Sequence, residues 1–166
     1  MKRILQGSLI VLCLSFTLPC LGAKKRSQTL VQNHLVKAVS LKWETYQEAM
    51  EQSKKDKKII ALFFTGSDWC IWCKKMDEQI LRSPEFIQFA NQNLHMVELD
   101  FPQSGSQSES TKQENQFLKN KYQVSGFPTL VCIDSQGKEQ FRMGFEYGGG
   151  ENFVNKMKMK LNKKSS

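Results

Sequence analysis

Two cysteines three positions apart, Cys70 and Cys73, stand in the stretch Trp69-Cys70-Ile71-Trp72-Cys73. The run before them, Ile59-Ile60-Ala61-Leu62-Phe63-Phe64, is apolar throughout and reads as a buried strand. Lys74-Lys75-Met76 open what reads as a helix. A cysteine at a helix N-terminus has its thiolate stabilised by unpaired backbone N–H groups and by the helix dipole. Cys70 is therefore the candidate nucleophile, with Lys74 and Lys75 adding positive charge nearby. It would attack a disulfide sulfur and form a mixed disulfide. Cys73, one turn on and facing the same way, would attack Cys70 and release the product. Other chemistries stay open. The pair could be a static structural disulfide. It could be half of a metal site, although zinc needs four ligands and Cys132, His34 and His95 lack ligand spacing. A lone C-x-x-C can also hold Cu(I) through its soft thiolates.

Gly126-Phe127-Pro128-Thr129 lies some fifty-five residues on and leads into a second apolar run, Leu130-Val131-Cys132-Ile133. Proline cannot donate to a strand ladder, and a cis peptide in a tight turn before the strand is one solution. An ordinary trans turn is the other.

These residues need elements to hold them. Residues 43–52 have helical spacing, with Trp43, Tyr46, Gln47 and Met50 on one face, and 53–58 read as a charged turn. Thr65 to Asp68 form a loop at the end of the first strand, where open α/β sheets place their chemistry. Asp68 could tune Cys70, but a loop acid beside a cysteine reads first as solvated. The helix from Cys70 continues to about Leu81, burying Met76 and Ile80. Ser83 is an N-cap candidate, with Pro84 in the first helical position. Phe86, Ile87, Phe89 and Ala90 supply the buried face of that helix. Residues 96–100 form a strand, and 103–113, rich in Ser and Gln, read as a mobile loop. Residues 114–122 form a helix with Phe117 and Leu118 inward. Residues 129–133 form a central strand, apolar on both faces. A turn at 134–137 joins it to a hairpin partner at 139–145. Gly148-Gly149-Gly150 precede a last helix over 151–161, burying Phe153, Val154, Met157 and Leu161. Alternating strands and helices that end in a hairpin indicate an α/β fold, with helices around a mixed sheet. Cys132 reads as an inert core cysteine, and His34 and His95 carry no assigned role.

The ends carry a different message. Lys2 and Arg3, an apolar stretch over 9–18 and Pro19 to Ala23 have the form of a signal peptide over residues 1–22, cleaved after Gly22 or Ala23. The stretch is short of the roughly 20 residues a membrane helix needs. A retained anchor is the alternative. Lipidation at Cys20 is disfavoured by Thr17 and Pro19 in the positions before it. Residues 23–40 are a polar lead-in, 41–162 the domain and 163–166 a basic tail. Cleavage leaves Cys70, Cys73 and Cys132, too few for a disulfide scaffold. The formal charge is +8, and losing Lys2 and Arg3 lowers it by two. The lysine clusters read as solvated faces. No aromatic residues interleave with them, so no nucleic-acid partner is expected.

W-C-x-x-C after a buried strand, paired with G-x-P-T, resembles the thioredoxin-fold family over roughly residues 41–162. The wording from Ser67 to Met76 is similar to the exported bacterial branch of thioredoxin-like thiol:disulfide interchange proteins. The resemblance implies a thioredoxin fold: a central mixed sheet flanked by helices, with a cis-proline before a central strand. It implies that Pro128 packs beside the cysteine pair and that the Phe127 backbone pairs with extended substrate. It also implies that Trp69 and Trp72 form an apolar rim. On residues alone both tryptophans could be packing residues, with Trp72 the better placed for contact. A periplasmic protein-disulfide reductase follows, monomeric and free of bound cofactor. Its substrates would be exported cysteine-containing proteins, and its electrons would come from a membrane donor of the DsbD kind. The chain departs from the family in two places. The buried aspartate of thioredoxins falls on Phe64, leaving Glu98 or solvent to move protons. The middle pair is Ile71-Trp72, with no histidine, which suggests a reducing poise. The rival readings are an oxidase or isomerase of the same fold, and a module that binds copper or a client.

Overall fold

The computed structural model describes residues 40–163. The expected leader at 1–22, its cleavage near Gly22 and Ala23, Cys20, residues 23–39 and residues 164–166 lie outside the described residues.

Helix α1 spans Tyr46–Asp56, later than the spacing predicts. Thr45 sets its start with a capping box. Its hydroxyl accepts from the Glu48 amide at 3.2 Å, and the Glu48 carboxylate accepts from the Thr45 amide at 2.9 Å. Trp43 is therefore outside the helix. It makes a parallel bridge to Met96 and stacks on Phe63 at 6.2 Å. The charged stretch read as a turn is mostly helix. α1 ends at Lys57, which takes φ 64° and donates to the Ser53 carbonyl. Ser53 is fully buried, and its hydroxyl donates to the Lys58 carbonyl at 2.6 Å.

Strands β1 (Ile59–Thr65), β2 (Leu94–Asp100), β3 (Thr129–Ile133) and β4 (Glu139–Met143) form one sheet in the order β2-β1-β3-β4. β1 runs parallel to β2 and antiparallel to β3, and β3 runs antiparallel to β4. β1 and β3 are the interior strands, which is why both read as continuous apolar runs. Alternation sends Ala61, Phe63, Leu130 and Cys132 to one face. They pack there under α2 (Ile71–Met76), α3 (Pro84–Asn93) and α5 (Gly149–Asn162). Ile60, Leu62, Phe64, Val131 and Ile133 face the other way, toward α1 and α4 (Glu109–Lys121). Cys132 is fully buried, and that burial pushes its thiol far above the ordinary range.

Three local readings change. The helix after Cys70 is two pieces: α2, then a π-helical turn over Asp77–Leu81. Ser83 then caps α3, accepting from the Phe86 amide at 3.2 Å, with Pro84 in its first turn. The Ser- and Gln-rich segment is only partly loop. Ser108 accepts from the Thr111 amide at 3.1 Å and starts α4 at Glu109. The first turn of α4 is exposed, so it has no apolar period to read. Phe117 points outward at 63% exposure, while Leu118 is buried. Asn115 takes the inward position and donates to the Asp100 carbonyl at 2.8 Å. The same carbonyl, at the end of β2, also accepts from the Gln107 side chain at 3.2 Å, so the inward place at 115 suits a donor, which phenylalanine is not.

His95 is also more than incidental. It is buried on β2, with Nδ1 2.9 Å from Glu44 and Nε2 3.1 Å from Asp56. It ties both ends of α1 to the outer strand.

Candidate active site

The loop after β1 is held by two carboxylates. Asp100, at the end of β2, accepts from the Ser67 amide at 2.8 Å and from its hydroxyl at 2.6 Å. Asp68 accepts from the Gln103 amide, and from the Ser104 amide and hydroxyl at 2.8 and 2.7 Å. The Ser104 bonds lead in holding the Asp68 carboxyl down at about 2. Asp68 is thus a clamp between the loop before Cys70 and the segment after β2, which corrects its reading as a merely solvated acid. Lys74 Nζ donates to the Asp68 carbonyl at 2.8 Å.

Cys70 is the N-cap of α2. Its backbone is extended, at φ −81° and ψ 105°, and its amide donates to the Gly66 carbonyl at 2.8 Å. Its sulfur takes the place of a capping oxygen, accepting from the Cys73 amide at 3.1 Å. A disulfide joins Cys70 and Cys73, whose Cα atoms are 5.2 Å apart. Cys70 is 6% exposed and Cys73 1%, so attack from outside meets Cys70 first.

The two tryptophans begin two aromatic groups. Trp69 donates from Nε1 to the Phe101 carbonyl at 2.8 Å and meets Phe127 edge-on at 5.8 Å. Phe127 stacks in turn on Phe101 at 5.1 Å. Gly66 lies against the Trp69 indole, and a Cβ there would overlap the ring. The Phe127–Pro128 peptide is cis, and Pro128 is buried at the head of β3. Trp72 packs on Phe145 at 5.4 Å and on Tyr147 at 6.4 Å. Trp69 and Trp72 are each 42% exposed, so neither is the favoured contact surface on exposure. Phe101, Phe145 and Tyr147 were not legible as site residues. They follow the ends of β2 and β4, and only the folded sheet brings them to the tryptophans.

Behind the disulfide lies a cavity of about 480 Å³, with Cys73, Lys74, Asp77, Thr65, Ser67 and Glu98 among its lining residues. Phe64 is on the opposite face of the sheet. Glu98 sits opposite Phe63 on β2. Its side chain reaches solvent, yet crowding by protein pushes its carboxyl above the ordinary range, helped by the charges of Asp100 and Asp77. Glu98, Asp77 and Glu78 are therefore the carboxylates that share a cavity with the inner cysteine.

Comparison with known proteins places the fold in a family. The family model for a thioredoxin-like domain matches residues 46–154. The chain is 55% identical to the disulfide bond reductase DsbH of Chlamydia pneumoniae, over 97% of this chain and 98% of that protein. It is 31% identical to the thioredoxin-related protein DsbJ of the same organism, over 82% of this chain and 37% of that protein. The solved structure of a DsbH oxidoreductase superposes with a TM-score of 0.76 at 56% identity, covering 80% of this chain and 92% of that one. The chain belongs to the thioredoxin-like domain family and is a thiol:disulfide oxidoreductase within it.

Proposed function

We propose that this protein reduces disulfides in other exported, cysteine-containing proteins, using Cys70 as nucleophile and Cys73 as resolving thiol. The observation that carries the reading is the placement of Cys70 as the cap of α2, more exposed than Cys73 and bonded to it. In the reduced protein the Cys70 thiolate attacks a substrate sulfur, and the other substrate sulfur leaves as a thiol. Cys73 then attacks Cys70, freeing the second substrate thiol and leaving the protein oxidised. Trp69 precedes Cys70 and Trp72 precedes Cys73 in the chain, Phe127 meets Trp69 edge-on, and Pro128 follows Phe127 at the head of β3; all four are assigned to substrate contact. The reductive direction is supported by the name of the DsbH relative and by the absence of histidine between the cysteines. The leader-like residues 1–22 support a periplasmic location. Turnover in an oxidising compartment needs a donor, for which a membrane carrier of the DsbD kind is assigned.

The test is the equilibrium potential of the Cys70–Cys73 pair in glutathione buffers, read by tryptophan fluorescence. A value near thioredoxin's roughly −270 mV supports the reductase; one near the roughly −120 mV of DsbA reverses the electron flow. The Cys73→Ser variant should accumulate mixed disulfides through Cys70.

A further inference from the structure

The rim of the disulfide is aromatic, exposed and capped by lysines. Beyond the two tryptophans, Ile71 is 64% exposed and Tyr147 72%. Tyr147 and Phe145 meet edge-on at 5.2 Å, and both meet Trp72. This group is fixed from behind. Asn152 donates to the Tyr147 carbonyl at 2.8 Å, and Lys156 pairs with Glu146. Lys75 Nζ lies 4.4 Å from the Trp72 ring centre. Lys119 Nζ lies 5.4 Å from that of Phe127 and 5.6 Å from that of Phe101. Neither ammonium has a carboxylate within ion-pair distance among the described residues, although the chain has sixteen acidic side chains. Glu146, next to Tyr147, is already paired with Lys156.

We propose that this rim is a selectivity surface for an extended segment of the disulfide partner whose cysteine adjoins large apolar and acidic side chains. The inference rests on the redox reading of Cys70 and Cys73 and adds the class of substrate. Apolar side chains beside the cysteine would cover Trp69 and Phe127 or Trp72, Phe145 and Tyr147, removing exposed aromatic surface from water. Acidic side chains would meet Lys75 and Lys119, which sit over each aromatic group and lack partners of opposite charge. Complementary charge of this kind raises encounter rates and rejects partners of the same sign. A segment rich in lysine would bring like charges together.

The experiment uses the reduced protein and three peptides, each disulfide-linked through one cysteine to the same chromogenic aromatic thiol. One flanks the cysteine with leucine and glutamate, one with leucine and lysine, one with glycine and serine. Attack by Cys70 on the peptide sulfur releases the chromogenic thiolate; resolution by Cys73 releases the peptide thiol and leaves the protein disulfide. Each rate is divided by the same protein's rate on hydroxyethyl disulfide, which carries no side chains. The expected result is a preference of about tenfold for the glutamate peptide over the lysine peptide at low salt. That preference should shrink at 1 M salt, where the screening length is roughly 3 Å. It should reverse in the Lys75→Glu, Lys119→Glu double variant. Tyr147→Ser should lower the normalised rate on both leucine peptides and not on the glycine–serine peptide. Equal normalised rates for all three peptides overturn the proposal, as does a charge preference untouched by the lysine reversal. Failure to exchange even hydroxyethyl disulfide sinks the redox reading instead. Tryptophan-fluorescence titrations with serine in place of the peptide cysteine then decide the surface alone. A tighter glutamate peptide supports it, and equal affinities overturn it.

Discussion

The backbone amide of Cys73 donates to the sulfur of Cys70 across 3.1 Å, so each cysteine completes the other's environment. The sulfur satisfies an amide at the start of α2 that would otherwise lack a partner, and the amide is placed to favour negative charge on that sulfur once the disulfide opens. Cys73 has no such placement and is 1% exposed. In the reduced protein at pH 7, iodoacetamide should modify Cys70 at least about tenfold faster than Cys73. Peptide mapping by mass spectrometry reads the ratio; equal rates would remove Cys70 from the nucleophile's role.

Glu98 supplies a pH signature. Its carboxyl is raised by crowding and by Asp100 and Asp77. Folding therefore favours its protonated form. Below the unfolded value of 4.5 both states hold the proton and Glu98 makes no difference. Above it, the folded state carries a carboxylate it disfavours, and stability falls as pH rises through the raised value. Glu98→Gln should match the wild type in Tm at pH 4 and exceed it at pH 7. Thermal melts across that range check the sign, and a variant less stable at pH 7 would contradict the assignment.

Asp68 has the opposite sign. Its carboxyl is held at about 2, against 3.8 in an unfolded chain, chiefly by Ser104. The clamp is complete above 3.8 and is lost as pH falls toward 2. Asp68→Asn should speed hydrogen exchange at the Gln103 and Ser104 amides several-fold at pH 6. The difference from wild type should close as pH approaches 2. Exchange rates measured by mass spectrometry at the two pH values report it.

Gly150 is where helix propensity gives the wrong answer. Alanine would be preferred in a helix by about 1 kcal/mol. At this position in α5, however, a Cβ would overlap the Ser83 side chain, which is committed as the cap of α3. Gly150→Ala should lower stability by about 1–3 kcal/mol, seen as a lower urea midpoint with an unchanged slope.

Cys132 should be silent. It is fully buried and its thiol is pushed far up. With the Cys70–Cys73 disulfide intact, maleimide should leave Cys132 unmodified in native buffer and label it in about 6 M guanidinium, where a domain of this size is unfolded. Peptide mapping distinguishes Cys132 from Cys13 and Cys20.

Which features the sequence alone determined follows from how local their causes are. The cysteine pair, the helix after it, the Ser83-Pro84 start and the two interior strands all rest on spacing, capping and apolar runs within a few residues. Those causes act along the chain, so they can be read there. The tertiary structure decided the rest. Trp43 left its helical face because β2 offers a bridge at Met96. Asn115, not Phe117, took the inward position, where its amide meets the Asp100 carbonyl at the end of β2. Asp68 became a clamp because β2 brings Gln103 and Ser104 beside it. Phe101, Phe145 and Tyr147 joined the tryptophans because residues 28 to 74 positions after Cys73 come to the same end of the sheet, where β1, β2 and β4 all finish. These contacts depend on strand order and register, and long-range pairing of that kind leaves no periodic trace around any single residue.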